Sequence, residues 1–303
     1  MERRPSVAVL FCYAGSMKTN AHAVLAMVLA GTASMAMAQE GGAAKPEGAG
    51  AGGMTADGKI HMYSVEVEPT LWYAAMSGKV SLPGGPAGDP TVSLDDLNAD
   101  SPRSTPFGQV RVNVGSWLID VSAFSTSADR STTAQVAGQL GSFSFAAGDP
   151  LRVSVDMTSA QVMGGYRFGP WPSGKRDDGS FSWVPSVVVL GGARMYDIGL
   201  GIGSTSPTAA KSDEFFIEPV LGARLEMDLT KAFSVNIETT AGWMPSGHES
   251  LSWDISAGFV WRPVEHVGVQ LGYRNLWFEL DSGEGTRWDG GVAGLFAGVQ
   301  LRF

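Results

Sequence analysis

Residues 289–303 read DGGVAGLFAGVQLRF and stop on an aromatic. Counted in twos from the end, one set is Phe303, Leu301, Val299, Ala297, Leu295 and Ala293. The other is Arg302, Gln300, Gly298, Phe296 and Gly294. Successive side chains of an extended chain point to opposite sides, so a period of two with one apolar face is a strand. Apart from Phe296 the second face is polar or small. An apolar face that closes on an aromatic, backed by a polar face, fits a strand with lipid on one side and a lumen on the other.

The same alternation recurs upstream, between turn residues. Tyr63, Val65, Val67, Pro69, Leu71 and Tyr73 oppose Ser64, Glu66, Glu68, Thr70 and Trp72. Val110, Val112 and Val114 alternate with Gln109, Arg111 and Asn113. After the tight turn Gly115-Ser116, Trp117, Ile119 and Val121 alternate with Leu118, Asp120 and Ser122. The pattern weakens over residues 153–168 and 183–199, where Pro185 suits a strand start. It is clean again over residues 215–228, 233–243, 251–261 and 267–274. A half-buried soluble sheet also alternates. Here the apolar face recurs strand after strand, and its ends carry Trp183, Trp243, Trp253, Trp261, Tyr273 and Phe303, as an interfacial girdle requires.

Long links (residues 83–106, 127–150, 202–211, 244–249 and 281–289) largely alternate with shorter ones (near Gly115, and at 170–182, 228–231 and 262–266). Short periplasmic turns and long surface loops give that rhythm. The expected fold is therefore all-β: an antiparallel up-and-down transmembrane β-barrel over residues 60–303. About ten strands are expected, with eight or twelve as alternatives and both termini in the periplasm.

Ahead of the barrel, Met17-Lys18, the apolar run at residues 21–30 and Ala36-Met37-Ala38 read as a secretory signal peptide over residues 1–38, with Gln39 the expected mature start. Met17 is the expected true start, with residues 1–16 a start artefact or an extended basic region. Residues 39–59, rich in Gly and Ala, read as a flexible periplasmic linker. The single cysteine, Cys12, falls in the segment expected to be removed, so no disulfide chemistry is expected. The formal charge is −9, and the removed segment carries Arg3, Arg4 and Lys18 against Glu2, so the mature chain is more acidic still. A nucleic-acid role, which needs a basic footprint, is not expected. Mean hydropathy is near zero at +0.04. No window of eighteen apolar residues follows the expected signal, which excludes a helical membrane protein, whereas alternating strands average to neutral.

Several segments together resemble a family of poorly characterised bacterial outer-membrane β-barrel proteins. They are VEVEPTLWYAAMSGKVSL followed by VSLDDL, the G-x-W-x-x-D element GSWLID, GYRFGP with LGGARMY, and EPVLGARLEMDL, LGYRNL and the closing GVQLRF. The similarity spans residues 63–303. Members often carry Tyr where this chain has Thr70, and the loop at residues 127–150 is longer here. The resemblance implies a small barrel in the bacterial outer membrane and brings no agreed activity. The final strand is similar to the one that barrel insertion machinery reads, so that machinery and outer-membrane lipid are the expected partners.

The polar face collects Glu66, Glu68, Asp120, Glu218, Glu226, Glu238 and Asp254 against Arg111, Arg167, Arg194, Arg224 and Arg274. In a ten-strand barrel these point into a narrow lumen. Unpaired charge there is costly, so the plainer reading is mutual pairing that fills the interior. Small barrels have interiors that side chains fill, while open aqueous channels appear near roughly sixteen strands. Lumen-face glycines (Gly222, Gly242, Gly258, Gly268 and Gly272) leave room for a thin water path or small pocket. A structural or interaction barrel is thus the first expectation, with recognition on surface loops whose ligand the sequence does not name. A narrow channel, cation-preferring given the acidic chain, is the second.

An outer-membrane hydrolase or lipid-modifying enzyme is a remote third. His248 beside Glu249, with Asp281 on the next loop, is a thin protease signal. His61 and His266 have no outward serine at matching height. No catalytic residue is assigned. Asp95, Asp96 and Asp100, and Arg176-Asp177-Asp178, read as solvated turns without calcium-loop spacing, so neither metal nor cofactor is expected. GLGIG at residues 199–203 has no following helix and is not a phosphate loop.

Overall fold

The computed structural model describes residues 63–85, 91–177, 181–204, 210–244 and 249–303, with the backbone of 53–54 and 60–61. The expected signal peptide, the side chain of His61, His248 and Asp178 lie outside the described residues. Gly53–Met54 of the expected linker pairs with Ile60–His61, just beyond it.

Ten long strands form the wall: β1 (Tyr63–Ser81), β2 (Arg103–Val114), β3 (Trp117–Thr133), β4 (Pro150–Phe168), β5 (Phe181–Gly203), β6 (Ala210–Asp228), β7 (Phe233–Met244), β8 (Glu249–Val264), β9 (Val267–Asp281) and β10 (Arg287–Arg302). Each pairs antiparallel with its chain neighbour, and β10 pairs β1, so the sheet closes on itself. Closure also ties the end of the chain to its first strand, through Val65 N–H to Phe303 O at 3.0 Å and Phe303 N–H to Val65 O at 2.9 Å. Closure removes the strand edges that lipid could not satisfy. The short turns sit at one end and the long loops at the other, which assigns the turn end to the periplasm.

Outward residues define a membrane band. On β1 they are Tyr63, Val65, Val67, Pro69, Leu71 and Tyr73; on β7 they run from Phe233 to Trp243. Ten residues of tilted strand rise about 25 Å, the height of an outer-membrane apolar band. Trp183, Trp261 and Phe303 stand exposed near the turn end, together with Tyr63, Trp117 and Phe168. Trp243, Trp253 and Trp277 are exposed towards the loop end, and Tyr273 stands within the band, four residues short of Trp277.

The strands outrun the band. A membrane crossing needs about 9–11 residues, yet β5 has 23 and β1, β4 and β6 have 19 each. Beyond the band the two faces exchange character. On β4 the exposed set is Tyr166, Gly164 and Val162 low down, then Asp156 and Arg152. The inward set is Arg167 and Gln161 low down, then Met157, Val155, Val153 and Leu151. This exchange is why alternation looked weak over residues 153–168: the apolar face changes sides near Thr158 and Ser159. β5 does the same around Arg194, above which Tyr196, Ile198, Leu200 and Ile202 point inward. GLGIG is therefore strand interior, not loop.

The extension has an ordinary hydrophobic core. Trp72, Met76, Phe124, Met157, Tyr196, Leu276, Phe278 and Trp288 belong to one buried cluster. Rings meet edge to face, Trp72 with Phe124 at 5.2 Å and Phe278 with Trp288 at 4.8 Å. Loops close the top: Leu82, Leu94, Leu97 and Ala99 from the β1–β2 link, and Leu140 and Phe145 from the β3–β4 link, join the same cluster. The Trp288 indole N–H donates to Ser77 O at 3.1 Å. Gly78 and Gly290 face each other beside that bond, and Gly78 has φ +112°. A Cβ on Gly290 would lie 2.0 Å from the Ser77 oxygen, so the crossing requires glycine.

Placing an arginine in the band tests its position. Leu221, outward and 61% exposed on β6, is expected to cost about 2–4 kcal/mol as Leu221→Arg. Asp213→Arg, on the same outward face of β6 but beyond the band, is expected to shift urea unfolding in lipid vesicles by less than about 1 kcal/mol. Equal costs at the two positions would contradict the band.

Candidate functional site: the barrel interior

The alternation that sends Val65, Val67 and Leu71 to lipid sends Glu66, Glu68 and Thr70 inward. Neighbouring strands do the same, so charges from all ten strands meet below the apolar core. They form two groups.

The lower group centres on Arg111 and Arg224. Arg111 Nη1 donates to Glu66 Oε2 at 2.9 Å and its Nε to Asp120 Oδ2 at 3.3 Å. Glu68 lies 3.8 Å from Arg111 and accepts from Gln300 Nε2 at 2.8 Å. Arg224 Nη2 donates to Asp120, and its Nε to Glu238 Oε2 at 2.6 Å. Arg167 Nη2 bridges Glu226 Oε2 at 2.9 Å and Asn113 Oδ1 at 3.0 Å. Gln109 Nε2 completes Asp120 at 2.9 Å. Arg302 adds a 2.6 Å pair to Glu66 from the last strand.

The upper group has Arg194 and Arg274 against Glu218 and Asp254, so its charges balance. Arg274 grips Asp254 with two nitrogens, Nε at 3.1 Å and Nη2 at 2.6 Å. Arg194 donates to Gln161 Oε1 at 2.6 Å, Ser252 Oγ at 3.1 Å and Tyr196 Oη at 3.2 Å, and lies 3.6 Å from Glu218. Glu218 accepts from Tyr196 Oη at 2.9 Å, from Ser250 Oγ at 3.2 Å and from Ser252. Two-nitrogen guanidinium–carboxylate pairs are strong and directional. In a protein interior they offset the desolvation cost only when most lone pairs are used; here Arg274 Nη1 and, in the lower group, Arg167 Nε, Arg224 Nη1 and Glu226 Oε1 are buried without a hydrogen-bond partner. Arg274 also joins the layers: its guanidinium carbon lies 4.8 Å from the Phe107 ring centroid and 5.3 Å from that of Trp72, cation–π distances both.

Space that the lumen glycines leave is occupied by neighbours. A Cβ on Gly242 would meet the Glu218 carboxylate at 2.5 Å, and one on Gly272 the Phe296 ring at 2.3 Å. Gly222, Gly258 and Gly268 are filled by Thr240, Asn236 and Val260. Phe296, the odd member of its face, is thus the ring for which Gly272 makes room. Small cavities remain among the described residues. One of about 80 Å³ lies at the turn end against Arg167, Glu226, Arg262 and Arg302. One of about 50 Å³ lies against Glu68, Gln109, Asp254 and Arg274. Each has room for a few waters.

Gln300 and Arg302 join the network beyond the residues expected of it, although they share the inward face of the terminal strand. So do Arg262 with Asp228, a 3.4 Å pair at the turn end, and Tyr196. Tyr196 is the one without a polar-face signal, because it stands where the inward face turns apolar.

Of the residues weighed for catalysis, His266 and Asp281 are described, whereas His248 and the side chains of Glu249 and His61 lie outside the described residues. His266 lies in the β8–β9 turn with Nδ1 3.0 Å from Arg302 O. Asp281 Oδ1 accepts from Gly283 N–H at 2.8 Å. Asp95 and Asp96 lie in the turn after Val92–Ser93, which Asn98 closes with φ +56°. Among the described residues no group of three or more His, Cys, Asp or Glu side chains is placed to hold a metal ion.

No family model matches the chain and no curated protein matches it. Solved structures do. The outer-membrane protease OmpT of Escherichia coli aligns at TM-score 0.40 and 8% identity over 79% of this chain and 97% of that one. Neisserial surface protein A aligns at 0.33 and 10%, over 80% and 98%. Ail, the attachment invasion locus protein of Yersinia pestis, aligns at 0.29 and 12%, over 78% and 98%. The activities in those names belong to those proteins, and the likeness is in barrel architecture. With its closed wall and apolar band, this chain is a ten-strand antiparallel β-barrel of the bacterial outer-membrane type.

Proposed function

We propose that the chain is a closed outer-membrane barrel with a structural or interaction role, working through its extracellular extension. One observation carries this reading: among the described residues, side chains occupy every level of the interior and leave only small cavities such as those of about 80 and 50 Å³. Paired charges occupy the membrane half, the apolar cluster occupies the extension, and residues of the β1–β2 and β3–β4 links pack onto that cluster from above. A pathway for solute would have to cross both a charged and an apolar layer. The extension, by contrast, presents ordered polar surface beyond the headgroups, where a partner could reach it.

A narrow channel is the second reading, favoured by the small cavities in the charged layers. Swelling of proteoliposomes in small sugars and amino acids separates the two. No swelling above protein-free vesicles is expected, and swelling by any of these solutes would favour the channel.

A further inference from the structure

The charged interior has a mouth at the turn end. There the cavity of about 80 Å³ is lined by Arg111 of β2, Arg167 of β4, Arg262 of β8 and Arg302 of β10, with Glu66, Glu226 and Asp228 between them. The cavity opens downward: the inward side chains of Arg302, Asp228 and Glu226 are still 21%, 21% and 24% exposed. Strands wall it on the sides, so it is reached from the periplasm and not from the lipid.

Charged donors outnumber charged acceptors in this space. Arg111 uses Nη1 and Nε on Glu66 and Asp120. Arg167 bonds Glu226 and Asn113 through Nη2 alone. Arg262 uses Nε on Gln300 and Nη1 on Asp228. Arg302 uses Nε and Nη2 on Glu66. A guanidinium only donates, and each of these has an Nη left over among the described residues. The carboxylates are mostly taken. Glu66 has one oxygen on Arg302 and the other on Arg111. Glu226 Oε2 is on Arg167, and its Oε1 is buried. Asp228 Oδ1 faces Arg262, which leaves its Oδ2 as the acceptor at the mouth.

We propose that this mouth binds a phosphate group from the periplasm, either inorganic phosphate or a monoester whose remainder stays outside the barrel. Phosphate oxygens accept from the leftover Nη groups, a pairing that guanidinium suits by charge and shape. The P–OH of a protonated phosphate donates to Asp228 Oδ2, which a fully ionised oxyanion such as sulfate cannot do. One such group takes the place of the few waters that the cavity has room for. Above it the Arg111–Asp120–Arg224 pairs bar the way, so the ligand enters and leaves from below. The site goes beyond the structural role proposed above. It does not depend on that role, because binding at the mouth needs no path through the lumen.

The test is calorimetric titration of the folded barrel in detergent, in phosphate-free buffer near neutral pH, with inorganic phosphate, glycerol phosphate and sulfate. A single phosphate per barrel is expected, and the tighter of the two phosphate forms identifies the source of the group. Sulfate is expected to bind about tenfold more weakly or worse. Arg262→Gln removes a charge whose carboxylate partner, Asp228, is itself partly exposed, so the fold is expected to survive. It is expected to weaken phosphate binding by about tenfold or more. Arg287→Gln, in the extension at the other end, is expected to leave binding unchanged. The heat-modifiable gel shift shows that each variant is folded. In wild-type protein, phosphate is expected to slow hydrogen exchange at the turn-end residues 228–233 and 262–267 and not in the extension. Absence of binding by both phosphate forms, or binding without that local slowing, would overturn the proposal. So would sulfate binding as tightly as phosphate, or equal losses in Arg287→Gln and Arg262→Gln, the result expected of unspecific charge attraction.

Discussion

Arg194→Ala is expected to lower the stability of the folded barrel by about 3–5 kcal/mol, the cost of breaking a buried ion pair from one side. Arg194 is 1% exposed and answers Glu218 and Asp254 together, besides donating to Gln161, Tyr196 and Ser252. Its removal strands Glu218, itself fully buried, among hydroxyls alone. The exposed Lys211–Asp213 pair is the control. At 2.7 Å it is as short as the interior pairs, yet both side chains are more than half exposed. Lys211→Ala is expected to cost about 1 kcal/mol or less. Urea unfolding in lipid vesicles measures both, and similar costs would contradict a dry, paired interior.

Trp288→Ala is expected to destabilise by a similar amount, about 3–5 kcal/mol, for another reason. Trp288 is 1% exposed, packs edge to face on Phe278 and bonds the Ser77 carbonyl. Its loss leaves a cavity between β1, β9 and β10 where the Gly78–Gly290 crossing prevents the strands from closing in. The effect is to fall on the extension. Native hydrogen exchange should quicken in residues 76–81 and 287–292 before it does in the membrane half. Uniform loss along the strands would mean that the apolar layer is not a distinct unit.

Most of the wall was legible because period two survives wherever one face is lipid. The terminal strand, the Gly115-Ser116 turn and the alternation of short and long links led to ten closed strands. β4 and β5 were weakest for a physical reason. At Thr158 and at Arg194 the strand leaves the bilayer, and lipid no longer selects which face is apolar. Averaged across that point, two strong and opposite patterns cancel. The inward residues of the membrane half were legible one by one from the polar face, but their partners were not. Register between distant strands decides that Arg224 meets Asp120 and that Arg194 meets Glu218. The core of the extension was unread, since Leu94 and Leu97 lie in what looked like a solvated acidic turn. Lumen glycines suggested space, whereas the Glu218 carboxylate and the Phe296 ring fill it.

Closure of the lumen is tested most directly by single-channel recording of the chain from residue 39 to 303, refolded and inserted into planar bilayers. A folded barrel without current steps is the predicted result. Reproducible steps from wild-type protein that shows the folded gel mobility would contradict the account.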